Sequence, residues 1–278
     1  MKLQRLEPGV RKHRSDQVVV EEPLEIRMEY FDGAAWATRS VSVTMRTPGH
    51  DVELAAGFLF NENIVTERSQ IREISYCQSD GPQEYNVLSV RLRESVPFDP
   101  QVLTRNFYTT SSCGVCGKAS IEAVEVRGCE PIPQGTLAVG AEIIDRLPDA
   151  LREGQTTFER TGGLHAAGLF DSSGVLEVLR EDVGRHNAVD KVIGHGFLEG
   201  RLPWTDRVLV VSGRTSFEII QKALMARLPM IVAVGAPSSL AVELSRRFDL
   251  TLVGFARKGG FNLYSGESRV LDWENPGL

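Results

Sequence analysis

Cys113 and Cys116 are the residues of this chain whose type and spacing most readily do covalent chemistry. They stand in Ser111-Ser112-Cys113-Gly114-Val115-Cys116-Gly117-Lys118, a C-x-x-C pair among small residues. Gly114 and Gly117 free the backbone, so such a loop can offer either sulfur to another molecule. The following Ala119–Val126 suits a short helix. If that helix starts near Gly117, its positive end and Lys118 favour the thiolate, the form that attacks sulfur and carbon. Structural zinc wants four ligands, commonly two such pairs, whereas the other cysteines, Cys77 and Cys129, are isolated. No zinc is expected. A thioredoxin-like pair would open the helix of a βαβ unit, and this one follows a β-rich stretch. Two inert buried cysteines fit poorly with two serines and two glycines, a composition that stays at the surface.

The elements that must position this loop are bounded by composition. A chain of 278 residues has room for one large or two ordinary domains, and its formal charge of −6 argues against general nucleic-acid binding. Four unevenly spaced cysteines fit a reducing compartment, and no apolar run has signal-peptide or membrane-spanning character. A cytoplasmic protein without a membrane segment is expected.

Residues 1–16, with the basic run Arg11-Lys12-His13-Arg14, read as a mobile arm. A β-rich domain over 17–110 follows, with strands expected at Val18–Val20, Leu24–Tyr30, Arg39–Met45, Ile71–Cys77 and Tyr85–Leu92. Asp51 is placed to cap one helix carrying Val52, Ala55, Ala56, Leu59 and Phe60. Residues 111–135 form the C-x-x-C loop and connector. Over 136–278 the rhythm is mixed: a helix over Ala141–Glu153 interrupted at Pro148, strands at Leu164–Phe170 and Val175–Leu179, and a helix over Val183–Phe197. Strand Arg207–Val211, helix Thr215–Arg227, strand Met230–Val234, helix Ser239–Phe248 and strand Leu250–Phe255 complete it. Thr215-Ser216-Phe217-Glu218 matches a capping box. All-apolar runs such as Val208-Leu209-Val210-Val211 suit a buried parallel sheet. The fold class is α/β, α+β overall.

The order from Val139, αββαβαβαβ, resembles the cytidine-deaminase-like fold. A zinc deaminase needs H-x-E at one helix start and P-C-x-x-C at the next. Gly184-Arg185-His186-Asn187-Ala188 and Ser212-Gly213-Arg214-Thr215-Ser216 lack them, and His165-Ala166-Ala167 lacks the glutamate. The helix starts offer an anion site instead, with Arg185, His186, Arg214, Thr215 and Ser216 beside free backbone N–H groups. Phe255-Ala256-Arg257-Lys258-Gly259-Gly260 adds two cations, close backbone approach and a ring that can stack on a base. A solvated turn at Arg257-Lys258 and a pairing of His186 with Asp190 are the competing readings.

Together these blocks resemble the formate dehydrogenase accessory protein family, the FdhD/NarQ sulfur carriers. The matching blocks are Thr47–Asp51 with Glu53-Leu54-Ala55, Ser112–Gly117, Thr161–Ala167, Glu181–Lys191, Ser212–Glu218, Gly235–Ala241 and Gly254–Arg257. The resemblance implies a sulfurtransferase acting as a sulfur carrier. It would accept a persulfide from a cysteine desulfurase and pass the sulfur to the molybdenum cofactor, bis-molybdopterin guanine dinucleotide, for formate dehydrogenase. It implies that Cys113 holds the persulfide, that Cys116 is a second or relay thiol, and that Phe255–Gly260 contacts the cofactor. A homodimer is expected. A thiol–disulfide oxidoreductase and a chaperone that only binds the cofactor are the alternatives.

Overall fold

The computed structural model describes residues 1–77, 83–98 and 128–273. Cys113, Cys116 and most of the 111–135 connector lie outside the described residues.

The first sixteen residues, read as an arm, form a hairpin of β1 (Lys2–Glu7) and β2 (Val10–Ser15), almost wholly exposed. Val18–Val20 makes no strand. Three valines have the propensity, but among the described residues no neighbouring backbone pairs with them; Val19 instead lies beside Gly163. A four-stranded sheet follows, ordered β4 (Trp36–Arg46), β3 (Glu22–Phe31), β6 (Val87–Leu92), β5 (Ile71–Tyr76). Leu24, Ile26 and Met28 alternate inward from β3 and are essentially fully buried, as period-two patterning requires.

Helix α1 (Asp51–Asn61) lies under this sheet and buries Leu54, Ala55, Ala56, Leu59 and Phe60. Each large side chain so buried contributes about 2 kcal/mol. Asp51 does not cap it. His50 is the N-cap, in the left-handed region at φ 59°, and Asp51 sits buried in the first turn. There its carboxylate takes the Arg46 guanidinium at 3.0–3.2 Å and the Tyr76 hydroxyl at 2.8 Å.

The second half opens with the short β7 (Val139–Gly140) and α2 (Ala141–Gly154), which runs on through Pro148. A proline inside a helix costs about 3 kcal/mol. Here Ile144, Leu147 and Leu151, all buried, hold both sides of it against the sheet. After α3 (Thr156–Thr161) come β8 (His165–Phe170), β9 (Leu176–Asp182), α4 (Arg185–Leu198), β10 (Val208–Val211) and α5 (Phe217–Met225). Then follow β11 (Met230–Ala233), α6 (Ser239–Arg247), β12 (Thr251–Arg257), β13 (Gly260–Ser265) and β14 (Val270–Leu271). The six-stranded sheet is ordered β13-β12-β11-β10-β8-β9, with β10, β11 and β12 parallel and the rest antiparallel. The expected sequence of elements is present. It is extended by β7, α3, β13 and β14, which are too short or too mixed to show a period.

One buried cluster runs from Leu24 and Leu88 in the first sheet through α1 and α4 to Leu252 in the second. A smaller one, on the other face of the six-stranded sheet, packs α2 against Val208, Val232 and Ala256. The two halves therefore share a core. Among the described residues no helix is long and apolar enough to cross a membrane.

Candidate functional site

The three parallel strands end on one edge of the sheet, where open sheets of this type hold ligands. Ser212–Ser216 leave β10 there, Gly235–Ser238 leave β11, and Phe255–Gly260 lie at the end of β12. Because β8 runs antiparallel to β10, its first residue, His165, lies at the same edge, paired with Asp182 at the end of β9. Arg185 and His186 open α4 immediately after. The topology thus gathers most of the cationic positions expected from the sequence.

Local hydrogen bonds stitch this edge. Ser212 Oγ accepts from the Ala166 amide at 2.9 Å, Gly235 N–H donates to Gly213 at 3.2 Å, and Phe255 N–H donates to Gly235 at 3.2 Å. Gly235 is required: a Cβ there would lie 2.7 Å from the Gly213 carbonyl oxygen. His165 and Arg185 flank Gly213, 3.4 and 3.6 Å from where its Cβ would stand. Burial, then the neighbouring Arg185 and His186, hold the His165 imidazole below its ordinary value. Arg214 is exposed, and Arg185 Nε is buried without a partner among the described residues. Thr215 Oγ1 is likewise buried and unpartnered, so the expected capping box does not form; Ser216 is the N-cap of α5, with no side-chain cap bond.

His186 does not pair with Asp190. Its Nε2 lies 2.8 Å from Glu218 and 3.2 Å from Ser216 Oγ. The His186 hydrogen bond draws the Glu218 carboxyl below its ordinary value. Asp190 points the other way, into the core, where Asn61 and Lys222 donate to it at 2.7 and 2.6 Å.

Phe255 takes a left-handed backbone, φ 54°, inside a bulge between Gly254 and Arg257, and is 47% exposed. A bulky side chain in this region costs on the order of 1–3 kcal/mol and persists only where its surroundings impose it. Ala256 is fully buried in the second cluster, so its side chain faces away from the edge. Arg257, Lys258 and Gly259 are exposed. They form a hairpin turn rather than a free strand end, and Gly259 N–H is tied to Asp145 of α2 at 2.9 Å. Gly259 and Gly260 have positive φ and open space where a side chain would be.

Sequence reasoning missed the part played by the first half. Asp182 is fully buried and accepts from Thr47 N–H at 3.1 Å, Gly184 N–H at 2.8 Å and Asn187 at 3.0 Å, with Lys191 Nζ at 2.7 Å. The segment before α1 therefore braces the start of α4. Beside it, Glu53 of α1 holds Arg180 of β9 at 2.5 and 2.7 Å, with His50 and His195 each at 3.2 Å. Burial alone would raise the Glu53 carboxyl; the Arg180 guanidinium outweighs it and leaves it lowered. The signal was present in Thr47-Pro48-Gly49-His50-Asp51, a motif that leaves no visible catalytic grouping within its own half. Among the described residues no three His, Cys, Asp or Glu side chains are grouped to hold a metal ion.

The model of the FdhD/NarQ family matches residues 19–271. The chain belongs to the FdhD/NarQ family. Relatives within it include the sulfur carrier protein FdhD of Streptomyces avermitilis, 48% identical over 273 residues that cover 97% of this chain and 94% of the relative. The protein of that name from Sulfolobus acidocaldarius is 40% identical over 270 residues, covering 97% of both. Alignments of that extent must run through the cysteine pair. A crystal structure from Desulfotalea psychrophila, assigned as a formate dehydrogenase accessory protein, is similar across 98% of both chains with a TM-score of 0.75 and 26% identity. The FdhD/NarQ likeness therefore embraces both sheets and the shared core.

Proposed function

We propose that this FdhD/NarQ chain is a sulfur carrier in formate dehydrogenase maturation, a sulfurtransferase that takes sulfur from a cysteine desulfurase as a persulfide on Cys113. The sulfur then passes to bis-molybdopterin guanine dinucleotide, bound as substrate at the strand-end edge. We read the six-stranded sheet as cytidine-deaminase-like in topology, with anion-binding residues at the helix starts where the deaminases carry zinc ligands.

The observation that carries this reading is the edge itself. Arg185, Arg214, Arg257 and Lys258 gather at or beside the ends of parallel strands, with an exposed aromatic in an imposed backbone conformation. Arg185 Nε is an orphaned donor among the described residues, and Gly259 leaves room for a backbone approach. Such residues suit a polyanion with an aromatic base: guanidinium and ammonium groups for phosphates, and a ring face for stacking. The names carried by the relatives support sulfur as the cargo.

The transfer step balances without an external oxidant. Cys116 thiolate attacks the inner sulfur of the Cys113 persulfide. The Cys113–Cys116 bond forms, the inner-to-outer sulfur bond breaks, and the outer sulfur leaves as hydrosulfide for the acceptor. The resulting disulfide is returned to the dithiol by a thiol reductant.

Intact-protein mass spectrometry after incubation with a cysteine desulfurase and cysteine tests it. A reducible gain of about 32 Da, one sulfur atom, is expected in the parent and in Cys116→Ala and absent in Cys113→Ala. A pair that only cycles between dithiol and disulfide, with no gain in any variant, overturns it in favour of an oxidoreductase.

A further inference from the structure

The side chain of His165 belongs to neither buried cluster. Its imidazole stands half-buried at the start of β8, and among the described residues nothing is hydrogen-bonded to it. Its Nδ1 lies 3.4 Å from where a Gly213 Cβ would stand, and Arg185 Cδ lies 3.6 Å from the same point. The charged and titratable groups facing the ring are Arg185 and His186 of α4 and Asp182 of β9. Burial, Arg185 and His186 disfavour a second proton and outweigh Asp182, so the ring carries a single N–H at neutral pH.

The order of the strand ends says what this ring meets. β12, β11, β10 and β8 are successive neighbours, so three spacings of about 4.8 Å put Phe255 and His165 about 14 Å apart. On the far side of β12 there is only β13, joined to it through the Arg257–Gly260 turn. An acceptor with its base on Phe255 and a phosphate at Arg257 and Lys258 therefore extends over the sheet only toward β8. The floor it crosses is Gly235 and Gly213, which present no side chain. Beside that path Thr215, 1% exposed, is bridged to Pro237, and its Oγ1 has no partner among the described residues. A hydroxyl so buried ordinarily has one. The edge is also graded in charge. Two cations and a ring stand at the β12 end, fit for phosphate and base. Arg214 stands between, and a neutral imidazole beside the one guanidinium of Arg185 stands at the β8 end. A single N–H in a partly dry place suits a singly charged sulfur, whereas a phosphate calls for charged donors.

We propose, resting on the reading of this edge as the acceptor site, that the acceptor lies across it in one direction, base on Phe255 and sulfur-accepting end against His165, whose N–H hydrogen-bonds the incoming sulfur. In the transfer step the electron pair of the broken sulfur–sulfur bond goes to the outer sulfur, which departs as hydrosulfide. His165 keeps its proton and steadies that charge until the acceptor takes it, as the donors of an oxyanion hole do. Its work is then separate from that of the groups that hold the nucleotide.

Three variants of the full chain decide it: His165→Leu, His165→Gln and Phe255→Gly. Calorimetric titration with guanosine diphosphate is expected to give an affinity within about twofold of the parent for both His165 variants, since a group used only in the transfer step leaves binding unchanged. Phe255→Gly is expected to bind it about tenfold more weakly. Single-turnover delivery from pre-loaded protein to saturating molybdenum cofactor, read as loss of the added sulfur mass, is expected to slow at least about tenfold in His165→Leu. His165→Gln, which keeps a neutral N–H donor, is expected to recover most of that loss. Delivery at the parental rate in His165→Leu overturns the proposal. So does a diphosphate affinity that falls with His165, which makes the ring a phosphate contact and breaks the assigned direction. A glutamine variant as slow as the leucine variant makes the ring a packing group. Each of these results leaves the parent loading persulfide and binding the diphosphate, so the carrier reading survives it. A parent that does neither fells that reading, and this assignment with it.

Discussion

Phe255 is held at φ 54° in a bulge by the Gly235 carbonyl on one side and the Arg257–Gly260 turn on the other. Glycine would occupy that backbone without strain. A phenylalanine kept there puts its ring to use outside the fold. Phe255→Gly is accordingly expected to melt within roughly 3 °C of the parent, or above it, since relief of about 1 kcal/mol of strain offsets the entropy glycine gains when unfolded. Persulfide loading of Cys113 is expected to be unchanged, while delivery to the acceptor falls about tenfold, the worth of one lost base stack. A melting point many degrees lower, with delivery intact, would make the ring a packing residue. The position was legible in the sequence because an apolar strand ended there among cations. Its backbone was not legible, since nothing in Gly254-Phe255-Ala256 announces a left-handed phenylalanine. The competing pairing of His186 with Asp190 fails for a similar cause: one helical turn suggested Asp190, but α5 brings Glu218 closer from outside the helix.

At the scale of elements, periodicity found the long strands and the helices of the six-stranded sheet, because each buries one clean face. It failed where tertiary contacts outvote local preference: Pro148 inside α2, and Val18–Val20 without a pairing partner. It also could not see how closely α1 and α4 cross. A methyl group on Gly57 would run into the Asp190 carbonyl, and one on Gly194 into that of Glu53. Backbone-to-backbone packing at this distance leaves no side chain to move aside. Gly57→Ala and Gly194→Ala are each expected to cost about 3 kcal/mol, a fall in melting midpoint of roughly 6 °C or more, measured by calorimetry. Gly33→Ala, at an open turn with positive φ, is the control, expected to cost about 1 kcal/mol from backbone strain alone.

At the scale of the whole molecule, the sequence divides near the cysteine connector and the structure does not. The β-rich half and the mixed half each carry their own pattern, so a reading by composition separates them. The cluster from Leu24 to Leu252 joins them, and Arg180 of the second half is bonded to Glu53 of the first. Burial against a distant element leaves no local mark, which is why the contribution of Thr47 and His50 to the strand-end edge could be read only as part of a family resemblance. The cysteine pair is the converse. Its residue types and spacing carry its chemistry in the sequence, and its position relative to the edge lies outside the described residues.

The buried carboxylate of Asp182 has a consequence for observation. Its two oxygens receive amides from both halves, Thr47 on one and Gly184 on the other, while the Val183 amide is held by Thr47 Oγ1 at 3.1 Å. Three amide protons from distant parts of the chain thus share one lock, a few residues from Arg185. They form a built-in reporter of occupancy. Inorganic pyrophosphate bound at the strand ends is expected to slow their exchange with deuterium together, leaving Lys12 in the hairpin unchanged, so that loading of the edge can be followed without any sulfur being moved.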